Sequence, residues 1–396
     1  MSSAYFEGEP DAGAGHNLGL YVHVPFCARR CDYCAFASWT GLGHLSVTYT
    51  DACLTQLHRA YDEGLGPAAT VFFGGGTPSQ LPGDELARLL GGVRRQEGAE
   101  VTVECNPEDV TVALLRAYAG AGVTRISLGV QSLAPHVLAS LGRRHSPDTV
   151  PRAVAAIGEV GFSSFNVDLI YGARGETDDD WAATLEGVLG LEPPPPHVSA
   201  YALQPEPGTA LWRDPDRHPD DDVQARRYEI ADGMLEAAGL AWYEISNWSR
   251  QGHQCRHNQN YWRQGEYLGV GAAAHSHLNG RRFWNIRAPE RYMAAIAAGH
   301  SAVAGEERLE PDQRLLEGLE LAVRTREGVD AAALADDEAL MELVERDDGR
   351  AVLSLRGRLL ANEVACRLRV PCGPPESTTR KHAAATLCPW PNPSDG

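Results

Sequence analysis

The sequence predicts an α/β protein built on a parallel sheet, and three observations carry the prediction. Six short β-rich segments alternate with helical stretches as far as Tyr201. Three cysteines sit in the loop directly after the first of those segments. The other side chains suited to chemistry fall at strand C-terminal ends or just past them, where α/β barrels and doubly wound sheets alike carry their sites. Periodicity alone does not choose between those two architectures.

The first strand, Leu18–Val24, is short and is stopped by Pro25. Residues 46–62 have a helical pattern, and Thr70–Phe73 is the second strand, ended by Gly74-Gly75-Gly76-Thr77-Pro78. Leu86, Leu89 and Leu90 mark one face of the next helix. Val101–Glu104 is the third strand, with Asn106-Pro107 as its breaker. A helix near 110–119 leads to the strand Arg125–Leu128, and a second helical region leads to Phe165–Ile170. A helix over 179–189 and four prolines at 193–196, which force an extended connector, precede the last strand, His197–Tyr201. Residues 213–222, rich in Asp and Pro, read as a polar loop, and 223–240 as a helix. The expected organisation is a flexible N-terminus (1–17), an α/β unit (18–240), an extension (241–304), a small, mostly helical C-terminal domain (305–370) with a β-like piece at 351–355, and a tail (371–396). The tail is rich in Pro, Ser and Thr and is expected to be disordered, so its Cys372 and Cys388 receive no ligand role.

With 396 residues, 43% of them hydrophobic, the chain can bury one large core and one or two smaller ones. Its 53 acidic residues against 35 basic ones give a net charge of −18, which repels phosphate backbones and argues against a nucleic-acid partner. Solubility is the ordinary meaning of such a balance. No apolar run reaches the length of about 18 residues that a membrane helix needs. Residues 1–17 lack the basic start and apolar core of a signal peptide. The expected compartment is the reducing cytoplasm, where structural disulfides are rare.

Cys27, Cys31 and Cys34 are spaced C-x3-C-x2-C, with no fourth cysteine close behind. Three thiolates on one short loop can bind three corners of a [4Fe–4S] cluster and leave the fourth iron open to a ligand. A zinc site usually takes four ligands in C-x2-C pairs, which these intervals fit poorly. A chance cluster of free thiols is the remaining alternative. The spacing is similar to the cluster motif of the radical S-adenosylmethionine (SAM) superfamily, in which the open iron chelates the amino and carboxylate groups of SAM. Reductive cleavage in that family gives a 5′-deoxyadenosyl radical.

The segments Tyr21–Cys27, Gly74–Ser79, Glu104–Pro107, Ser127–Ser132 and Asn166–Gly172 extend the resemblance. They resemble the branch of the superfamily that contains the oxygen-independent coproporphyrinogen III oxidase HemN and the haem chaperone HemW, over roughly residues 18–370. The resemblance implies a partial (β/α)6 barrel for the α/β unit. It also implies a SAM site made of Gly75, Gly76, Thr77, Glu104, Gln131, Arg143 and Asp168. Each residue also has a plainer reading. Glycines permit close backbone approach to a ligand, yet also make simple tight turns. Glu104 could accept hydrogen bonds from ribose hydroxyls or an ammonium, or be a solvated strand end. Arg143 has the planar fork that grips a carboxylate, but neighbouring Arg144 carries the same fork. Asp168 lies among apolar residues, where a carboxylate is costly unless paired.

Two features favour the chaperone side of the branch. Phe36 stands where HemN continues its motif with a further cysteine, and only about 17 residues precede the first strand, whereas HemN carries an N-terminal extension important for its oxidase activity. His257-Asn258-Gln259-Asn260-Tyr261-Trp262 matches the HNxxYW motif associated with haem binding in HemW-like proteins. His257 is thus the expected axial ligand, since neutral imidazole suits haem iron, with His253 and Cys255 as neighbouring alternatives. Without the resemblance, a buried His–Asn pair beside core aromatics is the plainer account. The segment Tyr267–Ser276 resembles a further family segment and is assigned packing alone. The family's Tyr-Gly-Leu-Pro-Gly reads Tyr171-Gly172-Ala173-Arg174-Gly175 here, which puts that loop's geometry in doubt.

The expected protein is a cytoplasmic haem chaperone carrying a SAM-binding [4Fe–4S] cluster. Its expected partners are haem, haem-acceptor proteins such as membrane respiratory enzymes, reached by peripheral contact, and a second copy of itself. The alternatives are a coproporphyrinogen III oxidase and a radical SAM enzyme with an unrelated substrate.

Overall fold

The computed structural model describes residues 17–334 and 337–371. The expected N-terminal and C-terminal tails, with Cys372 and Cys388, lie essentially outside the described residues. The chain divides after Leu309 into two compact units.

The first unit is organised by β1 (Gly19–Val24), β4 (Ala68–Gly75), β5 (Arg95–Cys105), β6 (Arg125–Gln131), β7 (Ser164–Tyr171) and β8 (His197–Ala202). Neighbours in this series are all parallel. Helices α1 (Ser46–Asp62), α2 (Gly83–Gly91), α3 (Val112–Ala121), α4 (Pro135–Ser140), α5 (Thr149–Val160) and α6 (Asp178–Leu189) make the crossovers, and α7 (Asp221–Ala237) follows β8. This is the six-fold β/α repeat that the alternation and the resemblance predict. Between β1 and α1, the two-residue strands β2 (Phe26–Cys27) and β3 (Trp39–Thr40) pair in parallel and clamp the cysteine loop at its ends.

Side chains alternate across each strand. Leu20, Val22, Val71, Phe73, Val101, Val103, Ile126, Leu128, Val167 and Val198 are buried, and the intervening positions carry a polar row: Tyr21, His23, Thr102, Glu104, Arg125, Ser127, Asn166, Asp168, His197 and Ser199. Bonds from Ser127 to Asp168 and from Asn166 to Ser127 and Ser199 join that row across strands.

The sheet continues past both ends of the repeat, to twelve strands. Beyond β8 lie β9 (Ala241–Glu244) and β10 (Asn247–Ser249), joined antiparallel. Helix α8 (Arg256–Trp262) then leads to β11 (Tyr267–Val270), which returns to pair parallel with β1. From there β12 (His275–Leu278), β13 (Arg281–Asn285) and, after α9 (Pro289–Ala297), β14 (Val303–Arg308) run as an antiparallel meander. The expected boundary at 304/305 falls inside β14, whose ladder with β13 carries the first unit on to 309.

The second unit holds α10 (Pro311–Ala322), β15 (Val329–Asp330), α11 (Glu338–Met341), β16 (Val344–Asp347), β17 (Arg350–Leu353), α12 (Leu355–Leu359) and α13 (Ala361–Arg367). Its strands form a three-stranded antiparallel sheet, one of them at the expected β-like piece. Among the described residues no helix is long and apolar enough to cross a membrane.

Candidate cluster and cofactor site

Cys27, Cys31 and Cys34 are free and half-buried on one loop at the C-terminal end of β1. The loop is tied down on every side. Trp39 donates its N–H to Pro25 O (2.8 Å), Asp32 O accepts from Leu211 N (2.9 Å), and the Asp32 carboxylate pairs with Arg217 (2.9 Å). Arg30 donates to Cys34 O at 3.2 Å, and Tyr33 packs on the core cluster of Val137, Leu141 and Leu211. Burial pushes the Cys34 thiol up to about 11 and raises Cys27 as well, each with contributions from its cysteine neighbours. Thiolates at neutral pH therefore need cationic partners, and iron ions supply that charge. Thr77 Oγ1 lies 3.4 Å from Cys27 Sγ, and Arg143 donates to Cys31 Sγ at 3.6 Å, so hydrogen-bonding partners for two of the sulfurs are built in. Among the described residues no three His, Cys, Asp or Glu side chains stand close enough together to hold one metal ion, the three cysteines included. Three thiols without a fourth ligand fit a cluster with one open iron better than a structural zinc site.

The glycine loop packs against this loop. Gly76 N–H donates to Val24 O and Thr77 N–H to Phe26 O, both at 2.8 Å. A Cβ on Gly75 would fall 2.4 Å from the His23 ring, and one on Gly76 would fall 2.7 Å from Phe26 O. The space that glycine leaves here is thus filled by β1 and the cysteine loop, so these glycines seat the cluster loop. His23 is itself fixed: it accepts from Tyr21 Oη (3.1 Å) and donates to Ala37 O (2.7 Å), and burial lowers its pKa to about 4.

Glu104, next to last in β5, accepts from Gly75 N–H at 3.2 Å. Burial, reinforced by the Asp168 charge, raises its carboxyl to about 8. Asp168 is also raised by burial, although Ser127 (2.7 Å) and Asn166 (2.9 Å) donate to it. Among the described residues neither carboxylate forms a salt bridge, so this interior suits a cationic ligand with hydroxyl donors. Gln131 adopts φ 66° where β6 bulges against β7, a strained backbone for a residue other than glycine. Arg143 donates to Gly129 O (2.7 Å) and Asn106 Oδ1 (2.9 Å) as well as to Cys31, whereas Arg144 is exposed. The structure thus distinguishes the two arginines. R143A is expected to lower SAM affinity at least tenfold, since a charge-assisted fork contributes roughly 1.5–3 kcal/mol, and R144A to leave it within twofold. Calorimetry on protein of matched iron content checks this.

The substituted segment after β7 keeps a tight turn. Gly172 N–H donates to Glu176 Oε2 at 2.7 Å, and the buried Arg227 guanidinium pairs with the same carboxylate at 2.7 Å. This ion pair holds the turn, which lacks the family's proline. Arg174 is exposed.

His257 is not brought together with the cysteines. It is 1% exposed. Its Nδ1 lies 2.9 Å from Thr70 Oγ1 at the start of β4, and its Nε2 lies 2.9 Å from Tyr261 Oη. Phe72 stacks on the ring at 5.2 Å, and burial lowers its pKa to about 3. The cysteine side of β4 begins at Gly75, five residues further on, about 16 Å along a strand. Both ring nitrogens are thus engaged by hydroxyl groups, and α8 packs at the N-terminal end of β4, away from the cysteine loop. The neighbouring alternatives are tied as well, Cys255 buried against Glu100 and His253 beside Ser164.

A repeat of six parallel strands, with three free cysteines after the first and a row of polar side chains along one face of the strands, defines a radical SAM protein. The Radical SAM superfamily profile matches residues 21–188. The heme chaperone HemW of Mycobacterium tuberculosis is 43% identical over 371 residues, covering 88% of this chain and 94% of that protein. HemW of Escherichia coli is 38% identical, covering 70% of this chain and 75% of that one. The chain belongs to the HemW heme chaperone family. In fold it is similar to the solved structure of the E. coli coproporphyrinogen III oxidase HemN, with TM-score 0.77 at 22% identity over 88% of this chain and 89% of the other.

Proposed function

We propose that the protein binds haem and delivers it to haem-requiring acceptors, with Cys27, Cys31 and Cys34 holding a [4Fe–4S] cluster that binds SAM. When bound, the cluster supplies an open iron and an electron for SAM chemistry. The chain's own part is to place Arg143 for a carboxylate, Glu104 and Asp168 for ammonium and hydroxyl groups, and the glycine loop as the floor. The observation that carries the chaperone reading is Phe36. It stands on the cluster loop where an oxidase-type motif carries a further cysteine, and it is 63% exposed. The names of the relatives support the same reading. A reducing compartment, homodimers and membrane respiratory enzymes as acceptors belong to this proposal.

The test is to give anaerobically reconstituted protein coproporphyrinogen III, SAM and reductant. The proposal expects no protoporphyrinogen; catalytic turnover would make the protein an oxidase.

Glu104 adds a pH dependence. Without ligand its carboxyl, at about 8, is mostly protonated at neutral pH. A cation bound against it takes the carboxylate form, so binding releases a proton and tightens as pH rises from 6 towards 8, by up to about tenfold per unit. SAM binding is expected to release close to one proton fewer in E104Q than in the wild type at pH 7. Equal release in calorimetry across buffers of different ionisation enthalpy would remove Glu104 from the SAM site.

A further inference from the structure

Arg125 is the first residue of β6, and its side chain belongs to the polar row at the N-terminal end of the strands, below Glu104 and Asp168. It is 2% exposed. A guanidinium keeps its charge at physiological pH, so its burial without a counter-ion is costly. Among the described residues Arg125 forms no salt bridge, and the carboxylates of the same interior have other donors. Glu100 accepts from His257 N–H at 3.1 Å and from the Cys255 thiol, Asp168 from Ser127 and Asn166, and Glu244 from Ser246 N–H and Asn247. A single Arg125 nitrogen is engaged: Nη1 donates to Ser164 Oγ (2.7 Å) and His253 O (2.8 Å). Nε and Nη2 have no hydrogen-bond partner among the described residues. Those two N–H groups form one edge of the guanidinium, the parallel fork that receives an anion.

Further donors adjoin that edge. Thr102 is the register partner of Arg125 between β5 and β6, so it shares the face, and its Oγ1 is buried without a partner among the described residues. His197 opens β8. Tyr243 Oη accepts from Cys255 N–H at 3.3 Å and lies 2.8 Å from His197 Nε2. With the phenol proton given to Nε2, the neutral imidazole carries its own proton on Nδ1, which likewise has no partner among the described residues. Arg125 and His197 reach the same stretch of chain, because Nη1 holds His253 O and the Tyr243 hydroxyl bridges His197 to Cys255 N–H. That stretch runs directly into α8.

Three buried N–H groups and a hydroxyl, two of the N–H groups on a permanent cation, suit an occupant that accepts hydrogen bonds and carries negative charge. Water would leave the charge uncompensated. A divalent anion would bring an excess of its own, whereas one negative charge matches one guanidinium. We propose that the lower barrel binds one small monovalent anion of the halide class on the Nε–Nη2 edge of Arg125, with His197 Nδ1 and Thr102 Oγ1 as further donors. The anion offsets the buried charge and fastens residues 253–255, and through them the start of α8, to the barrel floor. None of this depends on the haem reading.

The test uses the reconstituted full-length protein. Crystals grown in sodium bromide and measured at the bromine absorption edge are expected to show an anomalous peak against Arg125 and His197. In solution the thermal midpoint is expected to rise with bromide at constant ionic strength, with bulky gluconate making up the balance, and to level off as one site fills. R125K keeps a charge without the fork and should weaken the bromide dependence at least tenfold; T102V should weaken it less. R125M removes the charge, so it should erase the bromide dependence and match or exceed the wild type in gluconate alone. Bromine signal confined to the protein surface, or water alone at Arg125, would overturn the site. So would an equal bromide dependence in the wild type and R125K. The bromide map needs no variant, so it decides the matter even where the arginine variants fail to fold.

Discussion

Replacing Cys27, Cys31 or Cys34 by alanine is expected to abolish the [4Fe–4S] cluster in each case. A cluster with one open iron has no ligand to spare, and no other described cysteine stands in reserve. Cys53, Cys105 and Cys255 are buried, with the Cys105 thiol on Val103 O and the Cys255 thiol on Glu100, and Cys366 is exposed. The loop itself survives each change, because backbone bonds and the Asp32–Arg217 pair hold it. Loss of metal therefore reports ligation and not unfolding. Iron and sulfide content, charge-transfer absorbance and the spin signal after reduction should all fall to background in the three variants and persist in C366A. Cluster retention in any of the three would contradict the ligand set.

The second large effect is expected at Gly75. Its φ of +108° strains any L side chain, and a Cβ would meet the His23 ring at 2.4 Å. His23 cannot step aside cheaply, since its two nitrogens bridge Tyr21 to the cluster loop at Ala37. Backbone strain and overpacking each cost about 1–3 kcal/mol, so G75A should lose about 2–6 kcal/mol in all. It should also take up little iron, because the displaced His23 lets go of the loop that bears the cysteines. G91A is the control: a Cβ there meets nothing within 4 Å, and α2 gains helix propensity. Cofactor-free denaturation curves check both. A G75A midpoint equal to that of the wild type would show that the loop is slack.

Much of this was legible in the sequence. The six strands lie where β-rich runs are ended by breakers such as Pro25, the glycines at 74–76 and Asn106-Pro107. The polar lining of the barrel carried a signal of its own. Tyr21-Val22-His23-Val24, Arg125-Ile126-Ser127-Leu128, Asn166-Val167-Asp168-Leu169 and His197-Val198-Ser199-Ala200 all alternate, and polar alternation in a buried parallel strand means a polar interior. Read that way, Ser127, Asn166 and Ser199 join Asp168 as one network from sequence alone.

Other parts were not legible, for physical reasons. The outer strands β11 to β14 are short and lie in a stretch rich in Gly, Ala and His, where alternation is weak. Nothing local distinguishes Arg143 from Arg144; the choice is made by Gly129 O, Asn106 and Cys31, which only the fold brings near.

The central claim is that haem is the cargo. The most direct measurement is a titration of anaerobically reconstituted, SAM-loaded protein with haem, followed by its absorbance. The account predicts saturation at one haem per chain with the spectrum of an imidazole-ligated iron. A featureless, non-saturating rise like that of haem with an unrelated acidic protein would contradict it.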